Sequence, residues 1–289
     1  MKKLVTGILS LAVVAGLGLG AAVAEEAKGG EEHGGGTPHY PIHKPEQQDW
    51  SFAGPFGHYD KGQLQRGLKV YAEVCSACHS MNLVSFRTLE GLGYSEGQVK
   101  AFAANYEVQD GPNADGEMFT RKAVASDHFP SPYANKEAAA ASNNGAAPPD
   151  FSLIAKARGI ERGFPQFIFD MFWPYQEGGP DYIHALLTGY QEPPQGVEVA
   201  EGTHYNPYFA NAAALAMAQP ISADQVTYDD GTPQTVDQYA KDVSAFLMWA
   251  AEPHLEERKR TGFMVMVFLL IFTGLVYLTK KSVYANKEH

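Results

Sequence analysis

Cysteine is scarce in this sequence: its 289 residues include only two, Cys75 and Cys78. A framework of several disulfides and a zinc site made of two cysteine pairs are therefore both excluded. The sequence also has no internal repeat, no glycine-rich phosphate loop and no arrangement of residues typical of nucleophilic catalysis. The two cysteines are the most informative chemical groups that remain.

These two cysteines are separated by two residues and are followed directly by His79. Two thiols one helical turn apart can add to the vinyl groups along one edge of a haem, and the histidine can ligate the iron. A redox-active dithiol would instead need a strand, turn and helix around the motif, and a zinc site would need a further pair of ligands. The motif predicts one covalently bound haem c as the cofactor.

The N-terminus has the three parts of a secretory signal peptide. Met1–Lys3 is positively charged, residues 4–19 are apolar, and Ala22 and Ala24 form an A-x-A cleavage site. A retained membrane segment is the alternative, but the apolar run is short and interrupted by glycine. We expect residues 1–24 to be removed and the rest of the chain to be exported.

Residues 261–279 carry no charge and are long enough to cross a membrane as one helix. Basic residues flank both ends, so their count does not orient the helix, but the signal peptide does. We expect a domain at 46–254 on the periplasmic side of a bacterial cytoplasmic membrane, a linker at 255–260 and a cytoplasmic tail at 280–289. A buried core helix is the alternative for the apolar segment.

Positive charge is in short supply, with 22 basic against 33 acidic residues and a formal net charge of -11. An acidic domain repels nucleic acid and attracts a cationic protein partner, although acidity also keeps an exported domain soluble. Acidic groups at 107–117 and 224–242 are candidates for a docking face or are simply solvated loops. The polar segment 25–45 is predicted to be mobile, and metal binding by its histidines is a weaker alternative.

The hydrophobic pattern predicts an all-α fold with long loops around the cofactor, followed by the single transmembrane helix. One helix is expected after a cap at Asp60 and carries the cysteine motif at its end, and another is expected between Thr235 and Pro253 and packs against the first. Shorter helices are expected at 151–158, 164–172 and 181–188, whereas 91–149 is expected to form loops with short helices and 190–219 to be irregular.

The sixth ligand of the iron separates an electron carrier from a haem enzyme. Met217 lies in a loop of small residues that ends with a proline, which lets the backbone approach a flat cofactor, and it is the favoured candidate. Met171 and Met248 are expected in the core. The alternatives that stay open are Met118, His128, His184 and His204. Ligation by histidine and methionine raises the reduction potential and leaves no open coordination site.

Several stretches, in order along the chain, together resemble the cytochrome c1 family, the membrane-anchored haem subunit of quinol:cytochrome c oxidoreductase. They are VCSACHSM (74–81), FRTL (86–89), NNGAAPPDFS (143–152), LLTGY (186–190), YNPYF (205–209), DDGTP (229–233) and FLMWAAEP (246–253). The resemblance implies a c-type cytochrome fold, thioethers at Cys75 and Cys78, and axial ligation by His79 and Met217.

The same resemblance implies roles for four further residues. The backbone carbonyl of Pro149 would hold the ring N–H of His79, and Asn143, Arg158 and Tyr182 would meet the haem propionates. Two departures from the family pattern concern the loop around Met217: no additional cysteine pair clamps it, and Gln219 stands where proline is frequent. Both departures put the rigidity of this loop in question.

The function implied by the resemblance is transfer of single electrons in respiratory or photosynthetic transport. The donor would be a Rieske iron–sulfur protein, the acceptor a cationic soluble or tethered cytochrome c, and the neighbour in the membrane a cytochrome b subunit, in a complex that is dimeric. Quinol oxidation would take place in the partner subunits, with no catalytic residue in this chain. The alternatives are a stand-alone membrane-anchored shuttle and a haem peroxidase that uses His204.

Overall fold

The computed structural model describes residues 43–159 and 178–285, all within one structural unit, Tyr40–His289. Over those ranges there are seven α-helices: α1 (Lys61–Glu73), α2 (Glu96–Ala103), α3 (Lys136–Ser142), α4 (Ile154–Ala157), α5 (Gly178–Thr188), α6 (Val236–Ala251) and α7 (Leu255–Tyr284). Two short 3-10 helices, Cys75–Ala77 and Phe86–Leu92, lie between α1 and α2. The prediction of a mostly helical domain with one long apolar C-terminal helix is confirmed.

Two small antiparallel sheets lie in stretches that were expected to be loops. They pair β1 (Glu107–Asp110) with β2 (Phe119–Lys122) and β3 (His204–Tyr205) with β4 (Ala214–Leu215). In the first sheet Glu107 stands opposite Lys122, and in the second His204 stands opposite Leu215. The expectation of loops with short helices at 91–149 and of irregular structure at 190–219 is therefore corrected at these strands.

Helix α1 begins where the sequence predicted. The carboxylate of Asp60 accepts hydrogen bonds from the backbone N–H groups of Gly62 and Gln63, at 2.9 and 3.2 Å, and so satisfies donors that have no partner inside the helix. The helix ends at Glu73, and the cysteine motif follows on the next turn. The motif thus comes directly after the helix instead of forming its last residues.

Helix α6 is capped by Thr235, whose hydroxyl accepts a hydrogen bond from the backbone N–H of Gln238 at 3.2 Å. The second bond of a capping box is replaced, because the Gln238 side chain donates to Asp242 instead of turning back to the cap. The helix ends at Ala251, since the residue before a proline disfavours the helical conformation and Pro253 follows Glu252. Both predicted ends are confirmed.

The helices α1 and α6 pack directly on each other, as predicted, and their closest approach is at Gly67. A β-carbon placed there would lie 2.1 Å from the carbonyl oxygen of Asp242 and 2.6 Å from the β-carbon of Phe246. Only glycine lets the two backbones come this near. The largest side chains buried in the surrounding core are Tyr71, Tyr239, Phe52, Phe86, Phe246, Leu64 and Leu68.

The shorter helices lie where the sequence predicts them, but their lengths differ from the predicted ones. Helix α4 falls within the expected 151–158, and α5 begins at Gly178, three residues before the expected start, and ends at Thr188 as predicted. The helix expected at 164–172 lies outside the described residues. Helix α5 packs against both α4 and α6.

The chain before α1 is attached to α5 through a buried carboxylate. Asp181, which is 1% exposed, accepts hydrogen bonds from the indole N–H of Trp50 at 2.8 Å and from the backbone N–H of Gln48 at 2.9 Å. Further upstream, the backbone N–H of His43 donates to the carbonyl of Pro207. The end of the polar segment predicted at 25–45 is thus bound to the domain, while 25–42 lies outside the described residues.

The buried carboxyl of Asp181 makes the stability of the fold depend on pH. Burial raises its pKa above the ordinary value of 3.8, and the bonds from Gln48 and Trp50 offset only part of that effect. A raised pKa means that the folded state holds the proton more tightly than the unfolded chain. This stabilisation is therefore complete below pH 3.8 and is lost as pH rises through the folded-state pKa.

We expect Asp181→Asn to be more stable than the parent at pH 7, by roughly 1 kcal/mol, since the amide oxygen still accepts both bonds without a buried charge. Below pH 3.8 the difference should vanish. Thermal melts of the two proteins at both pH values measure this, with Asp49→Asn at an exposed neighbouring site as the control. A stability difference that is the same at both pH values would contradict the assignment.

Helix α7 is the apolar C-terminal helix. It has 30 residues, which corresponds to about 45 Å, and its most apolar window has a mean hydropathy of 2.3 with 0% of that window buried. The helix includes the segment predicted to cross the membrane (261–279), the residues expected as a linker (255–260) and the first residues of the expected tail. The helix is therefore long enough and apolar enough to cross a membrane.

Candidate haem site

The two cysteines and the histidine lie on one tight turn after α1. The backbone N–H groups of Cys78 and His79 both donate to the carbonyl of Cys75, at 3.1 and 2.9 Å. Cys75 is partly buried at the edge of the core, and Cys78 is exposed. The turn therefore presents one thiol from the core side and one from the surface side, with the imidazole directly beyond them.

The imidazole of His79 is held in one orientation. Its Nδ1 lies 2.8 Å from the carbonyl oxygen of Pro149, and its ring stacks on Phe151 with the ring centres 3.9 Å apart. Because a carbonyl can only accept, Nδ1 carries the proton and Nε2 keeps its lone pair. The phenolic O–H of Tyr71 donates to the His79 carbonyl at 3.1 Å and fixes the backbone.

The electrostatic surroundings keep this imidazole neutral. Burial lowers the pKa of His79, and the opposing effects of the Pro149 carbonyl and of Asp150 are smaller. A neutral imidazole whose Nδ1–H is bonded to a carbonyl is the form that ligates iron through Nε2. The residues present thus fit the proximal side of a haem.

Asp150 holds the segment that carries Pro149. Its carboxylate accepts hydrogen bonds from the hydroxyl of Ser80 at 2.8 Å, the backbone N–H of Asn82 at 2.9 Å and the backbone N–H of Ser152 at 2.8 Å. Burial alone would raise the pKa of Asp150, but these donors outweigh it, so the pKa is lowered. The carboxylate joins the turn after His79 to the Pro149 segment, which is about 70 residues away in sequence.

We expect Asp150→Ala to destabilise the domain by about 2 kcal/mol, because three donors lose a charged acceptor. The haem content should persist, since the thioether bonds do not depend on this carboxylate. Denaturant unfolding followed by haem absorbance measures the change, and Asp115→Ala, at an exposed site in the β1–β2 loop, is the control. Equal unfolding midpoints for the two variants would show that Asp150 does not hold the segment.

The thiol of Cys75 differs from the nucleophilic thiol of a redox-active pair. Burial raises the pKa of Cys75 to about 12, with a smaller effect from the neighbouring Cys78. A nucleophilic cysteine in a C-x-x-C motif has a lowered pKa instead. The motif also follows a helix and forms a 3-10 turn. Both observations argue against dithiol chemistry.

Met217 lies two residues after the end of β4 and is partly buried against the same hydrophobic core that Cys75 contacts. Its carbonyl accepts a hydrogen bond from the phenolic O–H of Tyr190 at 3.1 Å. Just beyond it, the amide of Gln219 donates to the carbonyl of Ile221 at 3.1 Å. The residue that replaces the frequent proline therefore makes its own bond within the loop.

The β3–β4 sheet holds the loop ahead of Met217. Asn206 is fully buried, donates its backbone N–H to the Ala213 carbonyl at 3.0 Å and donates its amide to the Leu186 carbonyl at 2.8 Å. These bonds fix the loop to the end of α5 without a disulfide. Strand pairing and the buried amide of Asn206 thus hold this loop in place, although the additional cysteine pair is missing.

The alternative iron ligands lie in other surroundings. Met118 is 60% exposed on the β1–β2 hairpin, and Met248 is buried in α6 as predicted. His128 and His204 are exposed, whereas the buried His184 has its Nε2 2.9 Å from a carboxylate oxygen of Asp237. Met171 lies outside the described residues. Of these candidates within the described ranges, Met217 combines partial burial with a fixed backbone.

The three residues proposed for the propionates have varied environments. The amide of Asn143 donates to the Tyr133 hydroxyl at 3.0 Å and to the Ala139 carbonyl at 2.7 Å. Arg158 is exposed at the end of α4, and the hydroxyl of the buried Tyr182 accepts from the backbone N–H of Ala210 at 3.4 Å. The structure thus joins Cys75, Cys78, His79 and Pro149 through direct contacts, while the roles of these three stay predictions.

Residues 50–287 match the model of the cytochrome c1 family. The chain belongs to the cytochrome c1 family. It is 47% identical over 277 residues to cytochrome c1 of Blastochloris viridis, covering 94% of this chain and 93% of that protein. It is 44% identical over 264 residues to cytochrome c1 of Rhodospirillum rubrum, covering 86% of this chain and 89% of that protein.

A longer relative is the cytochrome b/c1 of Bradyrhizobium diazoefficiens, 57% identical over 249 residues. The match covers 85% of this chain but only 36% of that protein. As a member of the cytochrome c1 family, the chain is a haem c protein that attaches its cofactor through Cys75 and Cys78, and it transfers electrons as the cytochrome c1 subunit of a bc1 complex.

Sequence analysis did not identify Asp150, Phe151, Tyr190 and Asn206 as supports of the site. An aspartate followed two residues later by serine, after two prolines, is a local signal of a turn and could have drawn attention to Asp150. Phe151, Tyr190 and Asn206 act through contacts made by distant segments and carry no comparable local signal.

Proposed function

We propose that the chain accepts single electrons from a Rieske iron–sulfur protein and passes them to a cytochrome c, beside a cytochrome b subunit. The observation that carries the proposal is the fixed neutral imidazole of His79, presented beside two cysteines in a domain of the cytochrome c1 family. The chain then moves electrons only, and quinol is oxidised in the partner subunits. A dimeric complex is part of the same proposal.

In this proposal Cys75 and Cys78 hold the haem through thioethers, and His79 and Met217 are its axial ligands. When bound, the haem supplies a one-electron couple between ferric and ferrous iron. The Pro149 carbonyl makes His79 a more basic ligand, and Tyr190 holds the Met217 backbone. Asn143, Arg158 and Tyr182 are proposed to bind the propionates, where a guanidinium keeps its charge even when buried.

We infer that α7 spans the membrane and that the haem domain lies on the periplasmic side, after removal of residues 1–24. The exposed apolar surface of α7 supports the first point. The charge pattern of the N-terminus supports the second, since an exported domain leaves the residues after 279 in the cytoplasm. Electron partners would then meet the domain at the outer surface of the cytoplasmic membrane.

Two acidic clusters, at 107–117 and 224–242, are candidates for docking a cationic cytochrome c, but some of their acidic groups already pair with basic side chains of this chain. In the first cluster Glu107 pairs with Lys122, and Asp110 pairs with Arg121. In the second, both Asp230 and the buried Asp242 pair with Arg66. The exposed acids at the hairpin loop, Asp115 and Glu117, and exposed Asp224 are the better candidates for docking.

Purification in mild detergent tests this function. We expect the full chain to co-purify with a cytochrome b and a Rieske protein, and its electron-transfer rate to a basic cytochrome c to fall as salt rises. Isolation of the chain alone would favour the stand-alone shuttle. A rate that does not change with salt would rule out docking through the acidic face.

A further inference from the structure

The loop before α1 places an exposed aromatic ring beside the membrane helix. Phe56 is 74% exposed, although the neighbouring Phe52 and Tyr59 are buried against each other with their ring centres 5.1 Å apart. A buried aromatic cluster is thus present directly beneath the loop, yet Phe56 points away from it. Phe56 is therefore an exposed apolar side chain that the buried aromatic cluster does not cover.

The loop has a fixed shape that sets the direction of Phe56. The backbone N–H of His58 donates to the Ser51 carbonyl at 3.0 Å, closing the base of the loop. At Gly57 an added β-carbon would lie 2.0 Å from the carbonyl oxygen of Ala53, so the turn accepts glycine alone. The ring is therefore held outward by the backbone.

Three contacts attach this loop to the first turns of α7. The backbone N–H of Tyr59 donates to the Glu256 carboxylate at 2.7 Å, and the ammonium of Lys259 donates to the Phe52 carbonyl at 2.5 Å. The ring of Phe56 meets that of Phe263 edge-on, with the ring centres 5.6 Å apart. The loop is thus fixed in height along α7.

The loop contacts α7 at the boundary between the charged part and the apolar part of this helix. The basic cluster Arg258–Arg260 lies just before Phe263, which is the first large apolar residue of the uncharged segment. Basic side chains lie at the level of lipid headgroups, and aromatic rings collect at the edge of the hydrocarbon region. A ring in contact with Phe263 lies at this edge.

We propose that the loop Ser51–Tyr59 is a second membrane contact, in which Phe56 enters the outer lipid interface beside α7. The inference rests on the proposed membrane anchoring of α7. Lipid is the proposed contact of the Phe56 ring, because the ring extends the exposed apolar surface of α7. That surface is bounded by the basic cluster Arg258–Arg260. With one contact through the helix and one through the loop, the haem domain has a restricted tilt on the membrane.

Photo-crosslinking in the intact haem-loaded complex, in native membranes, tests the inference. The photoreactive analogue p-benzoylphenylalanine replaces Phe56, and the adducts are identified by mass spectrometry after irradiation. We expect a phospholipid adduct at position 56. The same analogue at Phe119, an exposed phenylalanine of the β1–β2 hairpin, is the matched comparison and should give no lipid adduct.

Two other results at position 56 would overturn the inference. A protein adduct would show that a partner subunit covers Phe56, and the absence of any adduct would show that the ring faces water. An equal lipid yield at Phe119 would also count against a specific contact. The analogue at Leu270, in the middle of α7, separates this from the anchoring: loss of its lipid adduct would refute the membrane helix itself.

Discussion

Replacing Met217 with leucine is expected to lower the reduction potential of the haem by on the order of 0.1 V or more, within the roughly 0.8 V range that axial ligands cover. Thioether sulfur favours ferrous iron, so its loss stabilises the ferric form. The haem should stay attached, because Cys75 and Cys78 are unaffected. The reduced variant should also bind carbon monoxide rapidly, since its sixth coordination position becomes open. Redox titration and reduced-minus-carbon-monoxide spectra measure both effects.

The matched controls are Met118→Leu, at an exposed site, and Met248→Leu, in the core. Both should keep the parent potential and stay unreactive toward carbon monoxide. Should Met217→Leu behave like these controls, the sixth ligand lies elsewhere, and the candidates left by the sequence would have to be tested in turn. Rapid carbon monoxide binding by the unaltered reduced protein would argue for an open site and would favour peroxidase chemistry over electron transfer.

The sequence predicts the two main helices well because their signals are local. Asp60 and Thr235 each accept a bond from a backbone group two or three residues ahead, and Pro253 stops α6. Such signals act within one turn of helix. The packing of α1 on α6 also follows, since each helix carries one apolar face and the two faces need a partner.

The β-strands could not be predicted in the same way. β1 and β2 have four residues each, are largely polar and are joined by an eight-residue loop (111–118), so their sequences show neither a run of alternating apolar residues nor a two-residue turn signal. Each of the strands β3 and β4 has only two residues. Their pairing depends on Asn206 and on the end of α5, which the local sequence does not reveal.

The start of α7 could not be predicted from the sequence for a different reason. Hydropathy identifies the uncharged segment, but residues 255–260 are mostly charged and give no apolar signal, so the sequence predicts a linker there. They are helical because Glu256 and Lys259 bond to the loop before α1 and Arg258 pairs with Glu252. Tertiary contacts of this kind decide where a membrane helix begins, whereas hydropathy reports only where it is apolar.

The haem site likewise combines a local motif, which the sequence reveals, with contacts between distant segments, which it does not. Cys75, Cys78 and His79 are one local motif, so the cofactor was predictable from the sequence. The bond between His79 and Pro149 spans 70 residues, and it was expected only through the family resemblance. The support from Asp150 was missed, because its partners at Ser80 and Asn82 are equally distant in sequence. The motif specifies the chemistry, and the distant contacts orient it.

The contact between α1 and α6 leads to the second large expected effect, that of Gly67→Ala. The added methyl group would meet the backbone of Asp242, whose carboxylate is already bound by Arg66 and Gln238, so α6 has little freedom to move away. Forcing the helices apart should cost about 3 kcal/mol, at the upper end for overpacked cores. The melting temperature of the haem-loaded protein should fall by roughly 10 °C.

Gly97→Ala is the matched control, because Gly97 is also helical but has nothing within 4 Å of an added β-carbon. Alanine there should stabilise the protein by about 0.5 kcal/mol, through helix propensity and reduced freedom of the unfolded chain. Circular dichroism melts of both variants, with haem absorbance as a second probe, measure opposite shifts. If both alanine variants melted like the parent, α1 and α6 would not be in backbone contact, and the tight crossing that sets the cysteine motif against the core would be refuted.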